Sequence, residues 1–69
     1  MAEDIKILFG QNLRKIRVAQ KISQEELAFR SGLHRTYVSS VERGERNIAL
    51  ENIQKLAIAL KVSMKDLMP

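Results

Sequence analysis

Apolar residues recur every three or four positions from Ile5 to Leu67, and the runs are broken at Gly32 and Gly44 rather than at proline. That spacing is the face of an α-helix, whereas a half-buried strand would alternate apolar and polar. No long alternation and no Asn-Gly or Asp-Gly hairpin turn competes with it. The one proline, Pro69, is the last residue. An all-α domain follows. The chain has 69 residues and no cysteine, so neither disulfides nor thiolate metal sites support its small core. Regular helix packing and a partner chain remain as sources of stability.

The punctuation predicts five short helices. The first runs from about Asp4 to Ala19, with Ile5, Leu8, Phe9, Leu13 and Ile16 on one core-facing stripe. Gly10 costs such a helix about 1 kcal/mol relative to alanine, which points to a close neighbour there. Ser23-Gln24-Glu25-Glu26 fits a capping box, in which Glu26 returns the bond to Ser23, so the second helix starts after Ser23. Gly32 ends it in a left-handed conformation. The third helix runs from His34 or Arg35 to Arg43 and stops at Gly44. The fourth spans Leu50 to Leu60, with Leu50, Ile53, Leu56, Ala57 and Leu60 inward. Ser63 caps a last helix over Met64–Met68, with Asp66 as its box partner.

Residues 24–43 act as a unit. Leu27, Leu33, Val38 and Val41 supply an apolar seam, and Ala28 is small where two helices cross. The outer face of the third helix is then Arg35, Thr36, Tyr37, Ser39, Ser40 and Arg43. It carries no acid and many hydrogen-bonding groups. A helix of this kind fits the DNA major groove, with its N-terminal residues at base edges. The net charge of +4 agrees with an anionic partner. Glu42 is a poor DNA contact and is expected to pair with Arg14 or Arg17. The basic run Lys6, Arg14, Lys15, Arg17 and Lys21 is mainly a solvated face, from which one or two members reach phosphate.

Residues 23–60 resemble the lambda-repressor-like, Cro-type (XRE) family. The resemblance rests on Ser-Gln-Glu-Glu-Leu-Ala at 23–28, Gly32-Leu33, Val-Glu-Arg-Gly at 41–44, Arg46-Asn47 and the Leu50–Leu60 helix. The run Gly32-Leu33-His34-Arg35-Thr36-Tyr37-Val38-Ser39, with Arg46-Asn47-Ile48, is similar to the controller proteins of restriction-modification systems. The resemblance implies a five-helix lambda-repressor-like domain over residues 1–69. It implies a homodimeric transcriptional regulator that activates and then represses its own promoter. Its partners would be double-stranded DNA bearing a pseudo-palindromic operator and, as a further candidate, RNA polymerase. Carried over by position, Arg35 and Thr36 read bases, and arginine suits guanine because its fork donates to O6 and N7 together. Tyr37, Ser39 and Ser40 reach bases or phosphates, Gln24 binds phosphate, and Arg43, Arg46 and Asn47 follow the backbone or a groove. His34 and Ala49 depart from the serine caps common in the family, leaving two helices less well capped.

Ile58 points about 140° away from Ile53 at 100° per residue. With Val62, Met64, Leu67 and Met68 it makes a candidate two-fold dimer interface built from the fourth and fifth helices. Catalysis is not expected, nor is a cofactor or a metal. There is one histidine, His34, read as a turn residue, and no Gly-rich phosphate loop or His/Asp/Glu cluster with metal spacing. Glu3 and Asp4 stand where a signal peptide would be basic, and Ile7-Leu8-Phe9 is too short for its core. A cytoplasmic protein without membrane partners is expected. The rival reading is a protein-interaction module, such as an antitoxin or anti-repressor on the same scaffold.

Overall fold

The computed structural model describes residues 4–69, so the reading of Glu3 lies outside the described residues. Five helices follow in order: α1 (Ile5–Ala19), α2 (Gln24–Ser31), α3 (Arg35–Glu42), α4 (Leu50–Leu60) and α5 (Met64–Leu67). No strand occurs among the described residues. The ends shift by a residue from the expected bounds. Asp4 is the cap of α1 rather than its first residue, its carboxylate accepting from the Lys6 amide at 2.9 Å. Arg43 caps α3, and Met68 caps α5.

Ser23 caps α2, its hydroxyl accepting from the Glu26 amide at 3.0 Å. The expected reciprocal bond is not made, because the Glu26 carboxylate accepts instead from Arg30 Nε at 2.7 Å, one turn along. The box at Ser63 is complete. Its hydroxyl accepts from the Asp66 amide, and its own amide donates to Asp66 Oδ2 at 3.0 Å. Hydrogen bonding to the carboxylate, from the Ser63 backbone amide first and then from the Ser63 side chain, holds the Asp66 carboxyl below its ordinary range. Gly32 takes φ +74°, and the Leu33 amide closes back on the Ala28 carbonyl at 3.1 Å, which turns the chain sharply into α3.

α1 packs on α3 and α5, α2 on α3 and α4, and α4 on α5. Leu13, Leu27, Val38, Val41, Leu56, Leu60 and Leu67 fill the centre and are wholly buried. Gly10 has the close neighbour its retention implied. A Cβ there would overlap the Val41 carbonyl oxygen and lie 2.6 Å from that of Glu42. Only glycine lets α1 and the C-terminal end of α3 approach so closely. Expected core residues that are not core include Leu8, which is half-buried outside the core cluster, and two at helix starts: Ile5 is 60% exposed and Leu50 73% exposed. Ile5 overhangs the end of the core, and Leu50 falls on the exposed side of α4.

Candidate nucleic-acid interface

The turn between α2 and α3 is three residues, Gly32 to His34. It presents α3 with one flank on the core and the other in solvent. At 100° per residue Arg35, Thr36, Ser39 and Arg43 share about 100° of arc. Arg35, Thr36 and Arg43 are exposed, and Ser39 is half-buried. Ser40 does not belong to this face. It lies about 40° past Thr36, on the flank turned toward the core. There it is buried, and its hydroxyl donates to the Tyr37 carbonyl at 2.8 Å. The periodicity places it at the boundary, and packing turns it inward.

Tyr37 is half-buried and packs against the core. Its hydroxyl oxygen accepts from Asn52 Nδ2 of α4 at 3.1 Å, and the Arg46 guanidinium lies 5.5 Å above its ring. A cation over an aromatic face at this distance is attracted by the ring quadrupole. Thr36, Tyr37, Arg46 and Asn52 line one open depression of about 440 Å³ beside the turn. Asn47 is exposed on the loop after α3. Asn52 is absent from the residues singled out in the sequence. Its only signal is a polar side chain next to the inward face of α4, which becomes informative once α4 is docked beside Tyr37.

A second depression, of about 320 Å³, is lined by Arg14, Arg17, Gln24, Ser39, Glu42 and Arg43. At its floor Glu42 accepts from Arg17 Nε at 2.6 Å, Arg17 Nη2 at 2.9 Å and Gln24 Nε2 at 2.9 Å. Arg17, rather than Arg14, is the partner, and it also donates to the Ile22 carbonyl at 2.9 Å. The bond to Glu42 raises the Arg17 pKa further, against burial, which lowers it. Gln24 is therefore held toward Glu42 through one of its two amide protons. At the rim Arg43 pairs with Glu45 at 3.0 Å and donates to the Ser39 hydroxyl. That pair is exposed and screened by solvent, so giving up Glu45 for another anion costs Arg43 little. His34 and Ala49 start α3 and α4 with no side-chain cap, as their identities imply.

The predicted dimer patch is divided. Ile58 is 69% exposed, and Leu50, Gln54 and Ile58 form one ridge along α4 at four-residue spacing. Met64 sits beside that ridge with Leu50 and Gln54, and it and Val62 are half-buried against the core. Leu67 is wholly buried in the monomer and offers no side chain to a partner. Met68 is exposed but lies with Ile5, Phe9 and Ile53 around a separate apolar cleft. Among the described residues no cluster of His, Cys, Asp or Glu could hold a metal ion. No helix there is long and apolar enough to cross a membrane.

Two short helices joined by a tight glycine turn, the second with its outer face in solvent, define a helix-turn-helix module. A family model described as helix-turn-helix matches residues 13–67. The chain belongs to that family, in its XRE type, whose members are DNA-binding regulators and not enzymes. It is 52% identical over 69 residues to control protein C.BamHI of Bacillus amyloliquefaciens, across 99% of this chain and 85% of that one. It is 49% identical over 65 residues to control protein C.SmaI of Serratia marcescens, across 94% and 77%. The crystal structure of the restriction-modification controller protein C.AhdI from Aeromonas hydrophila superposes with a TM-score of 0.90, at 54% identity over 91% of each chain.

Proposed function

We propose that this protein is a homodimeric controller of a restriction-modification system that binds the DNA upstream of its own gene, activating transcription and then repressing it. The observation that carries the reading is the N-terminal turn of α3. Arg35 and Thr36 stand in solvent there, with Tyr37 and Arg46 stacked beside them on a helix-turn-helix scaffold. In the bound state Arg35 and Thr36 read base edges, while Gln24, Ser39, Arg43, Arg46 and Asn47 hold the backbone or a groove edge. Arg35 has the freedom to do so, since no ion pair engages it among the described residues. Two copies related by a two-fold axis read half-sites about 34 Å, or 10 base pairs, apart. Ile58 and Leu50 on the exposed ridge of α4, with Met64 beside them, supply the contact between copies. Activation brings RNA polymerase to the promoter as a second partner. Such a regulator works in the cytoplasm, with the DNA.

Fluorescence anisotropy with the duplex upstream of the gene and a scrambled duplex, between about 50 and 300 mM salt, tests this. Selective binding with two protomers per site and a steep salt slope is expected. Arg35→Ala should lose about 1–3 kcal/mol on the upstream duplex and little on the scrambled one. Weak and equal binding to both duplexes by the wild-type protein would overturn the reading.

A further inference from the structure

We propose that Asn52, on the first turn of α4, is a positioning residue for sequence reading and acts through Tyr37. The inference rests on the DNA-binding function above. The Asn52 amide donates to the Tyr37 hydroxyl oxygen at 3.1 Å. A phenol has one proton to give and lone pairs to accept with. Because Asn52 supplies the donor of that bond, the Tyr37 proton is not used in it and is left for an acceptor beyond the protein. Tyr37 reaches solvent in the open depression that it lines with Thr36, Arg46 and Asn52 itself.

Tyr37 is the third residue of α3, and the N-terminal residues of such a helix face base edges. The Arg46 guanidinium over the ring face holds the aromatic plane. Asn52 and Arg46 thus fix the two freedoms of the side chain, its hydroxyl rotor and its ring plane, before DNA arrives. A donor oriented in advance loses less entropy on binding and discriminates better against a site that offers no acceptor. Asn52 is half-buried and need not touch the duplex for this to hold.

Tyr37 is the only tyrosine in a chain without tryptophan, so the intrinsic emission reports this side chain alone. The experiment compares wild type, Asn52→Leu, Tyr37→Phe and the double variant, each on the upstream and the scrambled duplex, with a thermal melt of each. Each single substitution should weaken binding to the upstream duplex by roughly three- to tenfold and leave the scrambled duplex unchanged. The double variant should be no weaker than the weaker single one. Quenching of tyrosine emission should be greater with the upstream than with the scrambled duplex in wild type, and the difference should vanish in Asn52→Leu. If Asn52→Leu does not fold, Asn52→Asp replaces it, because a carboxylate keeps the shape and can only accept.

Additive losses in the double variant, equal losses on both duplexes, or wild-type selectivity in Asn52→Leu or Asn52→Asp would each overturn the inference while leaving the function standing. A wild-type protein that does not distinguish the duplexes would remove both.

Discussion

Glu42 is the most exacting position in the chain to disturb. Its side chain is 3% exposed and that of Arg17 11%. The carboxylate accepts three N–H groups, from three different atoms on α1 and α2. Replacing Glu42 with alanine removes all three and leaves the Arg17 guanidinium with the Ile22 carbonyl as its one recorded partner. Stranding one member of a buried ion pair costs about 3–5 kcal/mol. A domain of this size has roughly 3–10 kcal/mol of total stability at 0.05–0.15 kcal/mol per residue, so Glu42→Ala should lose a large share of it. Arg17→Leu should fare nearly as badly, since it strands the carboxylate. Replacing both with leucine removes the buried charges together, and such exchanges are commonly neutral or stabilising by about 1–4 kcal/mol. Against that stand the Ile22 carbonyl and the Gln24 amide, at about 1–3 kcal/mol if left unpaired. The double variant should therefore fall within about 2 kcal/mol of wild type. Urea denaturation followed by circular dichroism at one fixed protein concentration measures the whole cycle. A loss below about 1 kcal/mol in either single variant, or a double variant as unstable as the sum of the two, would refute the reasoning.

Gly10→Ala should lower the melting temperature. The gain of about 1 kcal/mol in helix propensity is outweighed by the overlap with two backbone carbonyls that cannot move aside, for a net loss of about 1–3 kcal/mol; a rise in melting temperature would count against the close approach. Ile58→Glu should convert the proposed dimer to monomer in sedimentation at micromolar concentration, and an unchanged dimer would take Ile58 out of the interface. Asp66 has a folded-state pKa below its unfolded value, so its contribution is present above the unfolded pKa and lost as pH falls through the folded one. Asp66→Asn should accordingly flatten the decline of stability below about pH 4, and an unaltered acid limb would contradict that.

Much of this molecule is legible in the chain because local rules and the final packing agree. Spacing of three and four located α1, α3 and α4, the serine caps located α2 and α5, Gly32 took the left-handed turn its place demanded, and Ser63 with Asp66 closed their box. What was not legible depended on neighbours. Periodicity gives a residue's angle on its helix but not how far the opposing surface extends, so Ile5 overhangs the edge of the core and Leu50 falls on the exposed ridge with Gln54 and Ile58. Ser40 looks outward on a polar face until the core covers its flank. Arg14 and Arg17 are equivalent cations in sequence, and only the crossing of α1 over α3 selects Arg17. Asn52 shows nothing until α4 brings it to Tyr37. Within the candidate site, the exposed residues of α3 were readable, and the network that holds them was not.

The two ends of α3 are held very differently. At Glu42 the helix is gripped by Arg17, by Gln24 and by the backbone of α1 against Gly10. At His34 it begins with no side chain bonded to its first amides. The side-chain bonds that hold its ends are therefore concentrated at the C-terminal one. Opening free energies for its amides should grade along its eight residues, lowest at the uncapped N-terminal end, and native-state hydrogen exchange would show it.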